Sequence, residues 1–576
     1  MSKAGTQRHT HLLLVVCVLA QLWQPAAVSA AGFTVTSTAD RGDTNPGDGV
    51  CAAADGSCTV RAAIQEANAL GGANTITIPA GRYIITIRGD DDASAAGDFD
   101  IAGTLTIVGA GSGSTLLDGG GEQTTAVDRV LHILADATAT ISNLSVQNGS
   151  KSLGGGVFNS GTLTLDNAAV VKNSADVGGG IQNTGTLTVT SSDISNNLAH
   201  FGGGGINNNE RGLASMRGTA LTTNAVDGRN VVFASQGGGI FNAGIMTIED
   251  SQLAGNALAG DFTYGAGIGQ NSGQLTIRNT RITQNVSAGL GQAYGGGIAL
   301  RGGTLRIGGS TIDSNAAADR RPNDSEPDGV GGGGGLYSED GVLTMTDSSI
   351  FNNITTGESS TASGAGILHN GGTATIAQTA ITGNRSALDG GGLLVHTGTL
   401  TLTNTTVSSN QTARDGGGLL TRPEATSRLT NVTIATNSAG RAGDGIANAG
   451  ATHLINTVIT NGAGDKNCVL ASPLTSEGHN LENADTCALR GVADRSGQDA
   501  RLGPLQDNGG PTLTHALGAG SPAIDAGSSA PAVCPATDQR GVARPVGRSC
   551  DIGAYEAGGD VPVIGGGRVY LPFTQQ

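Results

Sequence analysis

Eleven times between residues 154 and 446 the chain writes glycine-x-glycine followed by Val, Ile or Leu. No other feature restricts its fold as much. The apolar residues are Val157, Ile181, Ile206, Ile240, Ile268, Ile298, Leu336, Ile367, Leu393, Leu419 and Ile446. A short run that alternates apolar and polar follows each, such as "TLTL", "MTI" or "QLTI", and then an apolar-x-x-Asn element closes the unit. The closing asparagines are Asn173, Asn197, Asn224, Asn256, Asn285, Asn315, Asn353, Asn384, Asn410, Asn437 and Asn461, spaced 24 to 38 residues apart.

Each unit holds three stretches of period-two alternation, too short to form a stable sheet alone. They become stable when each lies on the same strand of the next unit, at about 4.8 Å per coil. The expected fold is all-β, a right-handed parallel β-helix of about 11 or more coils, with stacked Ile, Leu and Val inside. Eleven such coils make a rod of roughly 50 Å. Glycines turn its corners. Asparagines at one place per coil stack as a ladder of amides, and Asn159, Asn183, Asn208 and Asn242 start a second one.

Insertions collect at one corner, between the closing Asn and the next glycines. There the chain has four residues at 174–177 but twelve at 225–236 and a longer run at 316–332. One edge of the rod therefore carries the long loops, the usual binding face of a solenoid. Tyr264 and Tyr294 take the same place on this edge in successive coils, and Asp389 and Asp415 take it further along. The tyrosines read as a sugar platform or as a structural ladder. The aspartates read as ligand-binding or as solvated.

At the start, Lys3 and Arg8 precede a nine-residue apolar core (12–20) and a small-residue site, Val28-Ser29-Ala30. This reads as a secretory signal over 1–30, too short to span a bilayer. Six further cysteines, an even number in an exported context, favour disulfides, and proximity pairs Cys51 with Cys58, Cys468 with Cys487 and Cys534 with Cys550. The formal charge is −16, with 47 acidic and 31 basic residues. Such a chain repels nucleic acid and anionic membrane. The one tryptophan, Trp23, lies in the leader.

A polysaccharide hydrolase needs carboxylates close enough for acid and base work, and a lyase commonly uses calcium with a basic residue. No such set is complete in the repeats, so the catalytic-residue expectation is none and the enzyme reading leans to no. The densest acidic run is "RGDDDASAAGDFD" (88–100). Its Asp90, Asp91, Asp92, Asp98 and Asp100 are the candidate oxygen ligands for calcium, although no cofactor is required.

The ends carry resemblances. "FTVTSTAD", "CAAADGSCTVRAAIQEANAL" (51–70) and "ITIPAGRYIIT" resemble the CSLREA-type amino-terminal segment of bacterial secreted β-helix proteins. Its name-giving residues stand here as Cys58-Thr59-Val60-Arg61-Ala62-Ala63, with three departures. "GPLQDNGGPTLTHALGAGSPAIDAG" (503–527) with "DQRGVARPVGRSCDIGAYE" (538–556) is similar to a choice-of-anchor Q domain. The repeats are similar to the GGAI/FxxN repeats of polymorphic outer-membrane proteins, and the solenoid they imply is pectate-lyase-like. The expected layout is a signal peptide (1–30), an amino-terminal cap with a short amphipathic helix (31–75), β-helix repeats (76–465), a carboxy-terminal cap and anchor-like module (466–556), and a tail (557–576). The leader and the lack of a later long apolar stretch lead us to expect an exported protein without a transmembrane segment, and with the resemblances the expectation is a monomer at or outside the cell surface, acting as a structural or adhesive scaffold. Its expected partner is a cell-surface or environmental polysaccharide. The alternative is a polysaccharide-binding or polysaccharide-cleaving enzyme working at the loop-rich edge.

Overall fold

The computed structural model describes residues 30–121, 128–228, 234–319, 331–357, 362–461 and 466–561. The signal sequence, apart from Ala30, lies outside the described residues, as do most of the 316–332 insertion and the tail from 562. Within them the chain is a parallel β-helix. Threonine-rich strands show the stacking plainly. Thr162–Asp166 lies in register on Thr186–Thr190, which lies on Leu213–Arg217, and so on to Ala451–Ile455. The inward residues of each coil, such as Val157, Leu163, Leu165 and Val170, are buried and form one continuous apolar column from Phe33 to Leu489.

A coil has four strands, one more than the sequence pattern announces. After Val157–Asn159, Thr162–Asp166 and Ala169–Val171 the chain runs through Ser174–Val177, part of a second parallel sheet. The insertions widen this fourth side. They extend its strand to Ala257–Tyr264 and Val286–Tyr294, so part of the insertion is sheet rather than loop.

The closing asparagines make a single bonded series. From Asn197 onward, Oδ1 accepts from the backbone N–H and the Nδ2 of the preceding asparagine, as Asn315 does from Asn285 at 3.0 and 2.9 Å. The Nδ2 also donates to a strand carbonyl, here that of Ile282 at 2.9 Å. The series runs without a gap from Asn173 to Asn461 and passes to Asn467. The residue before the ladder position is left-handed in most coils, at Lys172, Asn196, Thr223, Gln284 and Ser314 among others. The bend aims the amide inward. The second ladder bonds from Asn159 through Asn183 and Asn208 to Asn242, at 2.7 to 2.8 Å.

Both ends of the column are covered. The helix Val60–Leu70 is capped by Thr59, whose hydroxyl accepts from the Ala62 N–H, and it buries Val60, Ala63, Ile64 and Ala67. Disulfide Cys51–Cys58 closes the loop before it. At the far end Cys468–Cys487 and Leu489 finish the core, and a module with the third disulfide, Cys534–Cys550, lies along the flank of the last coils. There the outward positions of the third strand change character. They are Gln252 and Arg281 in open coils but buried Ala380, Thr406, Thr433 and Val458 under the module. Asn404, Asn431 and Asn456 donate across to Thr537, Val533 and Ser528. No helix among the described residues is long and apolar enough to cross a membrane.

Candidate functional site

Tyr264 and Tyr294 stand on neighbouring strands of the second sheet. Their rings stack at 4.9 Å with 15° between planes. Tyr337, from the strand beyond the glycine corner, adds a third ring 4.5 Å from Tyr294. This stack is packed, not open. Tyr294 and Tyr337 are 6% and 1% exposed, and Leu368, Leu394, Leu420 and Ala447 continue the cluster coil by coil. Arg301 caps the outer face of Tyr264 at 4.4 Å and reaches Glu339 at 3.3 Å. Burial pushes the Tyr264 and Tyr337 hydroxyls above their ordinary range. Among the described residues, the edge around Tyr264, Tyr294 and Tyr337 is therefore paved with side chains.

The opening lies further along, where the loops are short. A cavity of about 460 Å³ has Asp389, Arg414, Asp415 and Arg441 on one side. Leu420, Ala447 and Val469 form its floor, and Arg422, Pro423 and Asn448 its other side. Both aspartates named from the sequence are here, and each is held by arginine. Arg422 Nη2 donates to Asp389 Oδ2 at 3.0 Å. Arg441 grips Asp415 with both arms of its fork, Nε at 2.8 Å from Oδ1. That contact holds the Asp415 carboxyl below the usual range. Burial, with help from Arg422, lowers the His396 pKa, which favours the neutral ring. Burial holds His369 down at about 4. Asp415 is therefore not poised to donate a proton at neutral pH.

The acidic run at 88–100 folds around cations supplied by the chain. Lys151 Nζ sits 2.9 Å from both Asp90 and Asp128, and Arg129 Nε lies 2.7 Å from Asp98. His132 Nδ1 is 3.2 Å from Asp100 and 3.7 Å from Asp92. Asp91 accepts the N–H groups of Ala93, Ala95 and Ala96, which shapes the loop. The two groups with suitable spacing for an ion are Asp92, Asp100, His132 and Asp90, Asp98, Asp128. Lys151 and Arg129 already occupy the second with positive charge.

Burial outweighs Arg129 at Asp98 and raises its pKa from 3.8 to about 6. A raised acid binds its proton better in the fold, so its contribution is intact below about pH 3.8 and lost as pH rises through about 6. The expected result for Asp98→Asn, which keeps the neutral form, is a stability that gains on the native chain across that window. The gain is up to about 3 kcal/mol, read from denaturant midpoints at pH 3.5 to 7.5. A constant difference across the window would refute it.

The sequence did not single out Tyr337, Arg414, Arg422, Arg441, Arg129 or Lys151. Tyr337 lies across the corner from the other tyrosines, so no offset within the repeat links them. The arginines are spaced like ordinary surface residues.

No protein-family model matches the chain, and no curated protein matches it. Among solved structures, pectate lyase Pel9A is similar over 92% of this chain and 97% of its own, at 14% identity and a TM-score of 0.30. The catalytic unit of a GH87 alpha-1,3-glucanase from Streptomyces thermodiastaticus is similar over 81% of this chain and 72% of its own, at 15% identity and a TM-score of 0.33. Neither likeness transfers a functional residue.

Proposed function

We propose that the chain is an exported, surface-associated β-helix that works as a non-catalytic structural or adhesive scaffold. The observation that carries this reading is the state of the cavity carboxylates. Asp389 and Asp415 are each neutralised by an arginine, whereas acid–base cleavage of a glycosidic bond asks for one carboxyl poised to give a proton and another free to act. Three disulfides favour an oxidising compartment. The signal-like leader and the CSLREA-type and choice-of-anchor Q resemblances support export and retention at a surface. Calcium is not required by this reading, since Arg129 and Lys151 already pair with Asp98, Asp90 and Asp128.

A second reading, a polysaccharide-binding protein, is favoured by the cavity itself. The discriminating assay incubates the mature protein with a panel of acidic and neutral glycans and follows reducing and unsaturated ends. The expected result is no release above the level of an Asp389→Asn, Asp415→Asn double variant. Turnover that the double variant loses would overturn the scaffold reading in favour of an enzyme.

A further inference from the structure

The chain as a whole is acidic, yet the cavity between the 413–416 and 421–423 segments lines itself with three arginines against two aspartates. Each aspartate has its own arginine. The third arginine is Arg414, an exposed residue that helps to hold the Asp415 carboxyl down but is not the arginine that grips it. Arg422 uses Nη2 on Asp389, and its Nε is buried without a hydrogen-bond partner among the described residues, so its remaining Nη hydrogens are the donors left for a ligand. The floor is different in kind. Leu420 and Ala447, the last members of the packed cluster, and Val469 lie in register on adjacent strands at about 4.8 Å and form a narrow apolar strip of which Val469 is the exposed member.

We propose that this groove binds a carboxylated sugar of an acidic polysaccharide, with the carboxylate on Arg414 and Arg422 and a ring face on the Leu420–Ala447–Val469 strip. The proposal deepens the binding reading above and rests on it. Three features select this ligand. Guanidinium forks match planar carboxylates in a two-bond geometry that an ammonium cannot provide. The cavity takes its lining from successive coils, from Asp389 to Val469, which suits a polymer lying across them rather than a small molecule held by one coil. An acidic peptide is the competing anion, but it would gain affinity by adding a strand. The floor strands Leu419–Ala435, Ile446–Asn448 and Cys468–Leu470 are bonded in series through residues 419–421 and 446–448 and offer no free edge between them.

The test is titration calorimetry on the mature protein with trigalacturonate, cellotriose, a sulfated trisaccharide and hexaglutamate. Trigalacturonate is expected to bind at least tenfold tighter than the other three. Arg414→Gln is expected to weaken it at least tenfold with the melting temperature unchanged. Arg306→Gln, exposed on the strand Thr304–Gly308 and outside the cavity lining, should leave binding as it was. Equal affinity for cellotriose, or tighter binding of the sulfated sugar or the peptide, would overturn the proposal, as would an Arg414→Gln protein that binds normally. Adhesion of the protein to isolated cell-wall material that persists in Arg414→Gln would remove the groove from the account and leave the scaffold reading standing.

Discussion

Replacing Asn315 by Leu is expected to destabilise the middle of the rod by about 5 kcal/mol, a large loss for one side chain of similar volume. The substitution strips partners from four groups at once. The Asn285 N–H and Nδ2 lose their acceptor, and the Ile282 carbonyl and the Asn353 Oδ1 lose a donor. Asn285, Asn315 and Asn353 have no solvent exposure, so water cannot replace what is lost. Because each coil touches only its neighbours, the damage stays local. Hydrogen exchange should show lost protection from about Asn256 to Asn384, with both ends of the rod still protected. Asn271→Ala, at an exposed corner without a side-chain hydrogen bond among the described residues, should change stability by less than about 0.5 kcal/mol. Equal effects from the two variants would show that the ladder contributes nothing special.

Arg61→Leu should cost about 3–5 kcal/mol at the amino-terminal cap. Arg61 is fully buried. It donates from Nε to Asp40 at 2.6 Å and from its two Nη atoms to the carbonyls of Ser94 and Gly97, at 3.1 and 2.8 Å, and lies over the Phe99 ring. Asp40 in turn accepts the N–H groups of Thr86 and Ile87. One side chain thus ties together the segment before the helix, the helix itself and the acidic loop. Removing it leaves Asp40 buried without its counter-charge. A double variant, Arg61→Leu with Asp40→Asn, should recover part of the loss, and proteolysis near residues 40 and 90 should rise in the single variant. A single variant as stable as the native chain would refute the assignment.

The coil architecture is legible because its causes are local and repeated. Period-two runs, corner glycines and apolar-x-x-Asn each state one backbone requirement, and eleven copies average out the noise of any single one. The fourth strand is hidden for the opposite reason. Ser174–Val177 and its counterparts vary in length and composition, and they take strand form because the neighbouring coils offer bonds, not because of their own residues. The cavity was only half legible. Asp389 and Asp415 share a repeat position and so could be read out, but Arg422 reaches Asp389 from a different side of the coil, 33 residues later. Ion pairing across a solenoid depends on side-chain reach around a corner, which no alternation or spacing records. The tyrosine stack shows the same limit, since Tyr337 completes it from across the glycine turn.

The flank module has a mechanical consequence. Bonds between coils, such as the Gly180 N–H to the Gly204 carbonyl at 3.0 Å, point along the rod. Tension applied at the last coil alone would therefore open interfaces in sequence, like a zip. The module instead holds Asn404, Asn431 and Asn456 on three successive coils by bonds that run sideways. A pull arriving through its residues is shared across those coils and loads the bonds in shear. The flank module is thus a clasp: whatever tugs on that side of the molecule must slide it off several coils together before any one of them can unwind.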